Sequence, residues 1–186
     1  RGSAISGSAS GSSWLMCRCI IPSAWGSSGW GRTRWVGSPQ GGSGFSTGLW
    51  YPPSRHAPTD EVIAVAEALR ERGGLYVTHM RDEADGVMDS IEETLKIGRD
   101  TGSAVVISHH KCTLPQNYGR STQTLARIET AMREQSVNFD VYPYAASSTA
   151  LLPDRVSDNL PVQISTSEPY PEMAGRMLAD IAAEWG

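Results

Sequence analysis

From Gly44 onward the sequence alternates helical and strand periodicities at a nearly constant step, and that step limits the possible folds more than any other feature. Asp60 to Arg72 places Val62, Val65, Ala66 and Leu69 on one helical stripe, with Asp60 and Glu61 in the first turn, where the helix dipole favours negative charge. Gly73 and Gly74 end it, and Gly74-Leu75-Tyr76-Val77-Thr78 reads as a strand. A second helix begins near Gly86, with Asp85 as its cap and Val87, Ile91, Leu95 and Gly98 on one face. Ser103 to Ser108 is an almost unbroken apolar run, the pattern of a parallel strand covered on both faces. A third helix, with Leu125, Ile128 and Met132 on one side, leads into the strand Val137-Asn138-Phe139-Asp140-Val141.

The strands end at Ser46, His79, His109 and Tyr142, separated by 33, 30 and 33 residues. A (β/α)8 barrel of roughly 250 residues advances about 31 residues per unit and gathers its active site at the C-terminal strand ends. A doubly wound open sheet also alternates in this way and also binds ligands at the carboxyl ends of its strands, so alternation alone leaves both folds open. The length of the step ranks the TIM-type barrel first. The expected class is therefore α/β, a partial (β/α)8 TIM-type barrel, with about four of its eight units after Gly44.

The first acidic residue is Asp60, and the preceding stretch is rich in Gly, Ser and Trp, with Trp14, Trp25, Trp30 and Trp35 among the six tryptophans. Segments such as Gly7 to Ser13 have neither a 3.6 nor a 2.0 apolar period and offer no face to a core. Residues 1–43 are expected to be a low-complexity, disordered or frame-shifted leader, 44–153 the central β/α units, and 154–186 the mostly helical start of a truncated insertion. A net charge of -4 and a pI near 5.5 give no basic stripe for nucleic acid. No apolar run reaches the roughly 20 residues that span a bilayer, and no signal-peptide core is visible, so neither a membrane nor export is expected. Three cysteines, Cys17, Cys19 and Cys112, lack paired spacing and fit a reducing cytoplasm.

Two histidines at the tips of successive strands can face one mouth, and neutral imidazole is the commonest protein ligand for metals such as zinc. Buried histidines bonded to backbone are the plain alternative. His110 should point away from His109 if the strand continues, because side chains alternate across a pleat. Arg81, Asp82 and Glu83 follow His79; the latter two read as a solvated loop. Lys111 brings a cation to the same mouth, suited to a carboxylate or an anionic intermediate, and Tyr142 to Thr149 offers phenol and hydroxyl groups.

Four phrases in register carry a family resemblance: Gly44-Phe45-Ser46-Thr47-Gly48-Leu49 with Tyr51-Pro52-Pro53, Thr78-His79-Met80-Arg81, Ile107-Ser108-His109-His110-Lys111, and Tyr142-Pro143-Tyr144 with Ser147-Ser148-Thr149. Over residues 44–186 the chain resembles the N-acyl-D-amino-acid deacylases, or D-aminoacylases, of the amidohydrolase superfamily. The resemblance implies a metal-bearing barrel that hydrolyses the linear amide of an N-acyl-D-amino acid, its small-molecule partner, with zinc as cofactor. It assigns His79 and His109 to the tightly bound zinc, and Lys111, Tyr142 and Ser148 to substrate recognition. Ser46 lies where more distant amidohydrolases carry a carboxylated lysine, whereas this family takes a cysteine from an earlier strand, a context that neither Cys17 nor Cys19 has. The family's His-x-His pair and late catalytic aspartate have no counterpart in the sequence; Asp154, Asp158 and Asp180 lack the strand context. No catalytic base is identified, and the chain alone is expected to be inactive. Two other readings stay open: a noncatalytic half-barrel that binds a partner through its Trp-rich leader and open edges, and a cyclic-amide hydrolase such as a hydantoinase or dihydroorotase, against which Ser46 argues.

Overall fold

The computed structural model describes residues 34–38, 41–52, 54–151, 156 and 160–186. Among these, strands β1 (Arg34–Ser38), β2 (Gly41–Gly48), β3 (Leu75–His79), β4 (Ala104–Ile107) and β5 (Val137–Phe139) form one sheet in sequential order. β1 runs antiparallel to β2, and every later pairing is parallel. Helices α1 (Thr59–Ala66), α2 (Val87–Thr101) and α3 (Ser121–Ala131) connect the parallel strands in turn. A parallel sheet whose strands stay in sequence order is how a barrel grows; a doubly wound sheet reverses order at a switch point. The structure thus shows the partial barrel that the step implied. In register, Gly48 rather than Ser46 stands opposite His79; Ser46 is half-buried within β2, opposite Val77. Residues 1–33 lie outside the described residues, and strand pairing starts at Arg34, ahead of the composition change at Gly44.

Burial alternates strictly along β3 and β4. Phe45, Tyr76, Val105 and Ile107 are buried, and with Val62, Ala66, Leu69, Val87, Ile91, Leu95, Ile97 and Ile128 they form the core between sheet and helices. Their neighbours Ser46, Val77 and Val106 point to the opposite face and are half-buried. β4 was expected to be covered on both faces; among the described residues its cover is one-sided. α2 sits close because Gly98 has no side chain: a Cβ there would lie 2.4 Å from Val105 Cγ2. Gly102, at φ 66°, closes the helix in the left-handed conformation that glycine adopts without steric cost.

Three local readings change. The first helix is α-helical only to Ala66 and tightens into 3-10 geometry over Glu67–Arg72, with Val65 exposed. α3 buries Thr124, Ile128 and Ala131 and leaves Met132 exposed, since the helix meets its neighbours one position N-terminal to the apolar stripe. Asp85 does not cap α2; its Oδ1 accepts bonds from Asn117 Nδ2 at 2.7 Å and Gln116 Nε2 at 3.2 Å, tying the loop after β3 to the loop after β4. Beyond residue 160 the described chain has one α-helix, α4 (Leu178–Trp185), a short 3-10 turn at Pro171–Met173 and a bridge between Gln163 and Met177. The rest is irregular, in keeping with Pro161 and Pro169, which cannot sit in a helix interior, while Pro171 opens the 3-10 turn. No helix among the described residues is long and apolar enough to cross a membrane.

Candidate metal centre at the strand ends

His79 is the last residue of β3 and falls on the same side as Leu75 and Val77 by simple alternation. Beneath it, the opposite face is locked by buried hydroxyls: Thr47 Oγ1 lies 2.9 Å from Tyr76 Oη and 2.8 Å from Thr78 Oγ1. Trp50 and Tyr51 flank the His79 ring at centroid distances of 5.8 and 5.1 Å, and Tyr51 Oη reaches Thr149 Oγ1 at 3.4 Å, joining the loops after β2 and β5. His79 Nε2 is buried without a hydrogen-bond partner. Burial pushes the His79 imidazole down to about 4, so the ring is neutral at pH 7 and its lone pair is free to bind a cation.

His109 arrives by a different route. β4 ends at Ile107, which faces Phe139 in register and belongs to the buried, helix-covered side. Strict alternation would give Ser108 the side of His79 and return His109 to the helices. Instead His109 takes φ 43°, a left-handed conformation that costs a non-glycine residue about 1–3 kcal/mol. The turn brings its ring edge-on to His79, with centroids 4.4 Å apart. His110 points the other way, as expected, though because of this turn and not because the strand continues. It is buried, with Nε2 2.8 Å from Thr124 Oγ1 and its ring against Phe139.

Glu83 corrects the sequence reading most. It is only 4 % exposed and stands at the centre of the cluster, not in a solvated loop. A tight turn places it: Asp82 Oδ1 accepts the Ala84 N–H at 2.6 Å, Ser90 Oγ accepts the Asp82 N–H at 2.8 Å, and the Glu83 carbonyl accepts the Thr113 N–H at 2.6 Å. Lys111 Nζ lies 2.7 Å from both carboxylate oxygens, His109 Nδ1 3.0 Å from Oε1, and His79 Nε2 3.7 Å from Oε2. Burial alone would raise the Glu83 carboxyl, but the bond from His109 and the Lys111 ammonium beside it outweigh it and hold it below the usual range. Asp82 gave the available clue, since Asx residues favour tight turns that fold the next side chain back.

Lys111 Nζ also lies 2.8 Å from His109 Nδ1 and 5.6 Å from the centroid of the Tyr142 ring. Burial lowers the Lys111 ammonium and raises the Tyr142 phenol. The structure therefore gathers His79, His109, Lys111 and Tyr142 into one neighbourhood. Ser148 is exposed on the loop after β5, next to Thr149. Arg81 turns away to a structural clamp: its guanidinium forks onto Glu93 at 2.9 and 2.7 Å and donates to the Arg55 and Ala57 carbonyls at 2.6 and 2.8 Å. Cys17 and Cys19 lie outside the described residues, and Cys112 is half-buried against the core.

Ligand atoms of His79, Glu83 and His109 all lie within 4.8 Å of one another. Zinc holds imidazole nitrogen and carboxylate oxygen at about 2.0–2.2 Å, so tetrahedral ligand atoms stand roughly 3.3 Å apart, within reach of small side-chain adjustments here. The donor set is of the kind zinc takes, and the buried Nε2 without a partner is the atom such an ion would satisfy.

No protein-family model matches the chain. A D-aminoacylase from Alcaligenes xylosoxydans xylosoxydans is 48% identical over 146 residues, which is 78% of this chain and 30% of that protein. A crystal structure of a D-aminoacylase said to define a novel subset of amidohydrolases superposes with a TM-score of 0.74 at 50% identity, over 78% of this chain and 31% of the other. An N-acyl-D-glutamate deacylase from Bordetella bronchiseptica, solved with zinc and a phosphonate inhibitor mimicking the tetrahedral intermediate, gives the same TM-score at 49% identity and the same coverage. The chain spans about 30% of the length of the curated relatives it matches. By sequence and by fold together, the aligned part of the chain is similar to the corresponding third of the D-aminoacylases.

Proposed function

We propose that this chain forms the zinc-holding central units of an enzyme that hydrolyses the amide bond of N-acyl-D-amino acids. The observation that carries the reading is the meeting of ligand atoms of His79, Glu83 and His109 within 4.8 Å of one another at the C-terminal ends of two adjacent barrel strands. His79 and His109 would hold the zinc. When bound, the metal supplies a Lewis acid for the amide carbonyl and lowers the pKa of a bound water. Lys111, with Tyr142 across from it, would grip the substrate carboxylate, and Ser148 would add a hydroxyl from the exposed loop after β5. Glu83 keeps Lys111 and His109 in place between substrate encounters. Trp50 and Tyr51 wall off His79 from water. Residues 44–153 are read as these units and 154–186 as the start of an insertion. A cytoplasmic location is the reading that the lack of paired cysteine spacing supports, and the acidic charge supports a small-molecule partner over nucleic acid.

The reading is tested by zinc content after dialysis, together with hydrolysis of N-acetyl-D-methionine, for the unsubstituted chain and His79→Ala. The expected result is one zinc per chain, lost in the variant, with no turnover by the chain alone. Zinc retained in full by His79→Ala would remove the ligand assignment, and turnover would show that the chain carries a base not identified here.

A further inference from the structure

His109 owes its place in the cluster to one backbone torsion, and a single side chain holds the peptide group involved. The His109 N–H donates to Asp140 Oδ1 at 2.7 Å. Asp140 is itself fixed to the tip of β4: its N–H donates to the Ile107 carbonyl at 3.1 Å, and its carbonyl accepts the His110 N–H at 2.8 Å. The carboxylate is thus delivered to the His109 amide by the β4–β5 ladder running on past Ile107. An amide turned out of a ladder needs an acceptor, and a side chain with a Cβ has no intrinsic preference for positive φ. Asp140 supplies the acceptor at the residue where the left-handed turn occurs.

We propose that Asp140 is a positioning residue for His109. Its oxygen traps the His109 amide, stabilises the left-handed turn and so carries the imidazole from the helix-covered side, where strand alternation would leave it, to the side of His79. The inference deepens the zinc reading and rests on it for its consequence, whereas the backbone statement stands independently. The bond needs an acceptor oxygen at that distance, not a negative charge. Asparagine at position 140 keeps such an oxygen; alanine removes it; glutamate keeps the charge but displaces the oxygen by one methylene.

The test uses the whole chain with Asp140→Ala, Asp140→Asn and Asp140→Glu. In the metal-free protein, amide hydrogen exchange at His109 is followed by NMR. Exchange is expected to stay slow in Asp140→Asn and to accelerate at least about tenfold in Asp140→Ala and Asp140→Glu, while the amides of Ile91 and Leu95 in α2 stay protected. In a zinc titration against a chromogenic chelator, Ala and Glu should weaken binding about tenfold, the lower end of what outer partners of metal ligands contribute, with Asn within about twofold of the unsubstituted chain. Unchanged exchange at His109 in the Ala and Glu variants overturns the proposal, and so does an Asn variant as impaired as Ala. Should the Ala variant fail to fold, the Asn and Glu pair decides by the same criteria. If the unsubstituted chain takes up no zinc, the metal reading fails, and the exchange data alone decide whether Asp140 sets the turn.

Discussion

The tips of β3 and β4 deliver the same side chain to the same place by opposite means. At β3, alternation carries His79 to its position within a regular strand, over a buried floor of Thr47, Tyr76 and Thr78 hydroxyls. At β4, the strand has already ended, and a strained turn at His109 reverses the side that alternation assigns. One tip is built by ladder geometry, which is local and regular. The other depends on partners from three loops: Glu83 after β3, Lys111 after β4 and Asp140 after β5. A site assembled in this way couples one rigid histidine position to one that its neighbours must hold.

If that contrast is right, the largest effect should come from the residue that both tips share. Glu83→Ala leaves Lys111 half-enclosed without its partner, and breaking a buried pair on one side costs about 3–5 kcal/mol. Urea unfolding at pH 7.5 should show a loss of that order; a loss under about 1 kcal/mol would mean that Lys111 simply escapes to water and the two tips are not interlocked. Next comes pH. Burial depresses the folded-state pKa of His79 from 6.5 to about 4, so its neutral form is favoured by folding. Stability from this group is complete above pH 6.5 and is lost as pH falls toward 4, by up to about 3 kcal/mol. Denaturation midpoints of the metal-free chain between pH 7.5 and 4.5 should decline accordingly, and His79→Asn should flatten the slope; an equal slope in the variant would shift the cause to other groups. The smallest effect is the most direct comparison. At position 109 glycine should be more stable than alanine by about 1 kcal/mol, because only alanine meets the left-handed penalty. At position 79 the order should reverse by about 0.5–1 kcal/mol, because glycine weakens a strand. The same order at both positions would show that His109 does not depend on a left-handed turn.

Much of the frame was readable before the structure. The repeat step, the apolar runs at 75–78 and 104–107 and the glycines that close helices reflect short-range periodicity, which a chain expresses wherever its neighbours lie. The exact helical faces were less legible. Val65 and Met132 sit on apolar stripes yet remain exposed, since which part of a stripe is buried depends on the helix beside it. Within the site, His79 and Lys111 stood out as polar groups at strand ends. Glu83 did not, because charges after a strand are usually solvated, and only the opposing Lys111 and His109 make its burial favourable. Arg81 had no role legible from its place after His79, and the structure gives it one in the fork on Glu93.

The sequence by itself determined the alternation of elements, the barrel-like step and the placement of His79, all of which follow from backbone periods acting over a few residues. Only the tertiary structure decided the burial of Glu83 and the reversal at His109. Both depend on hydrogen-bond partners about thirty residues away along the chain, Lys111 for the first and Asp140 for the second, brought within 3 Å by the parallel ladder. No local period records such partners.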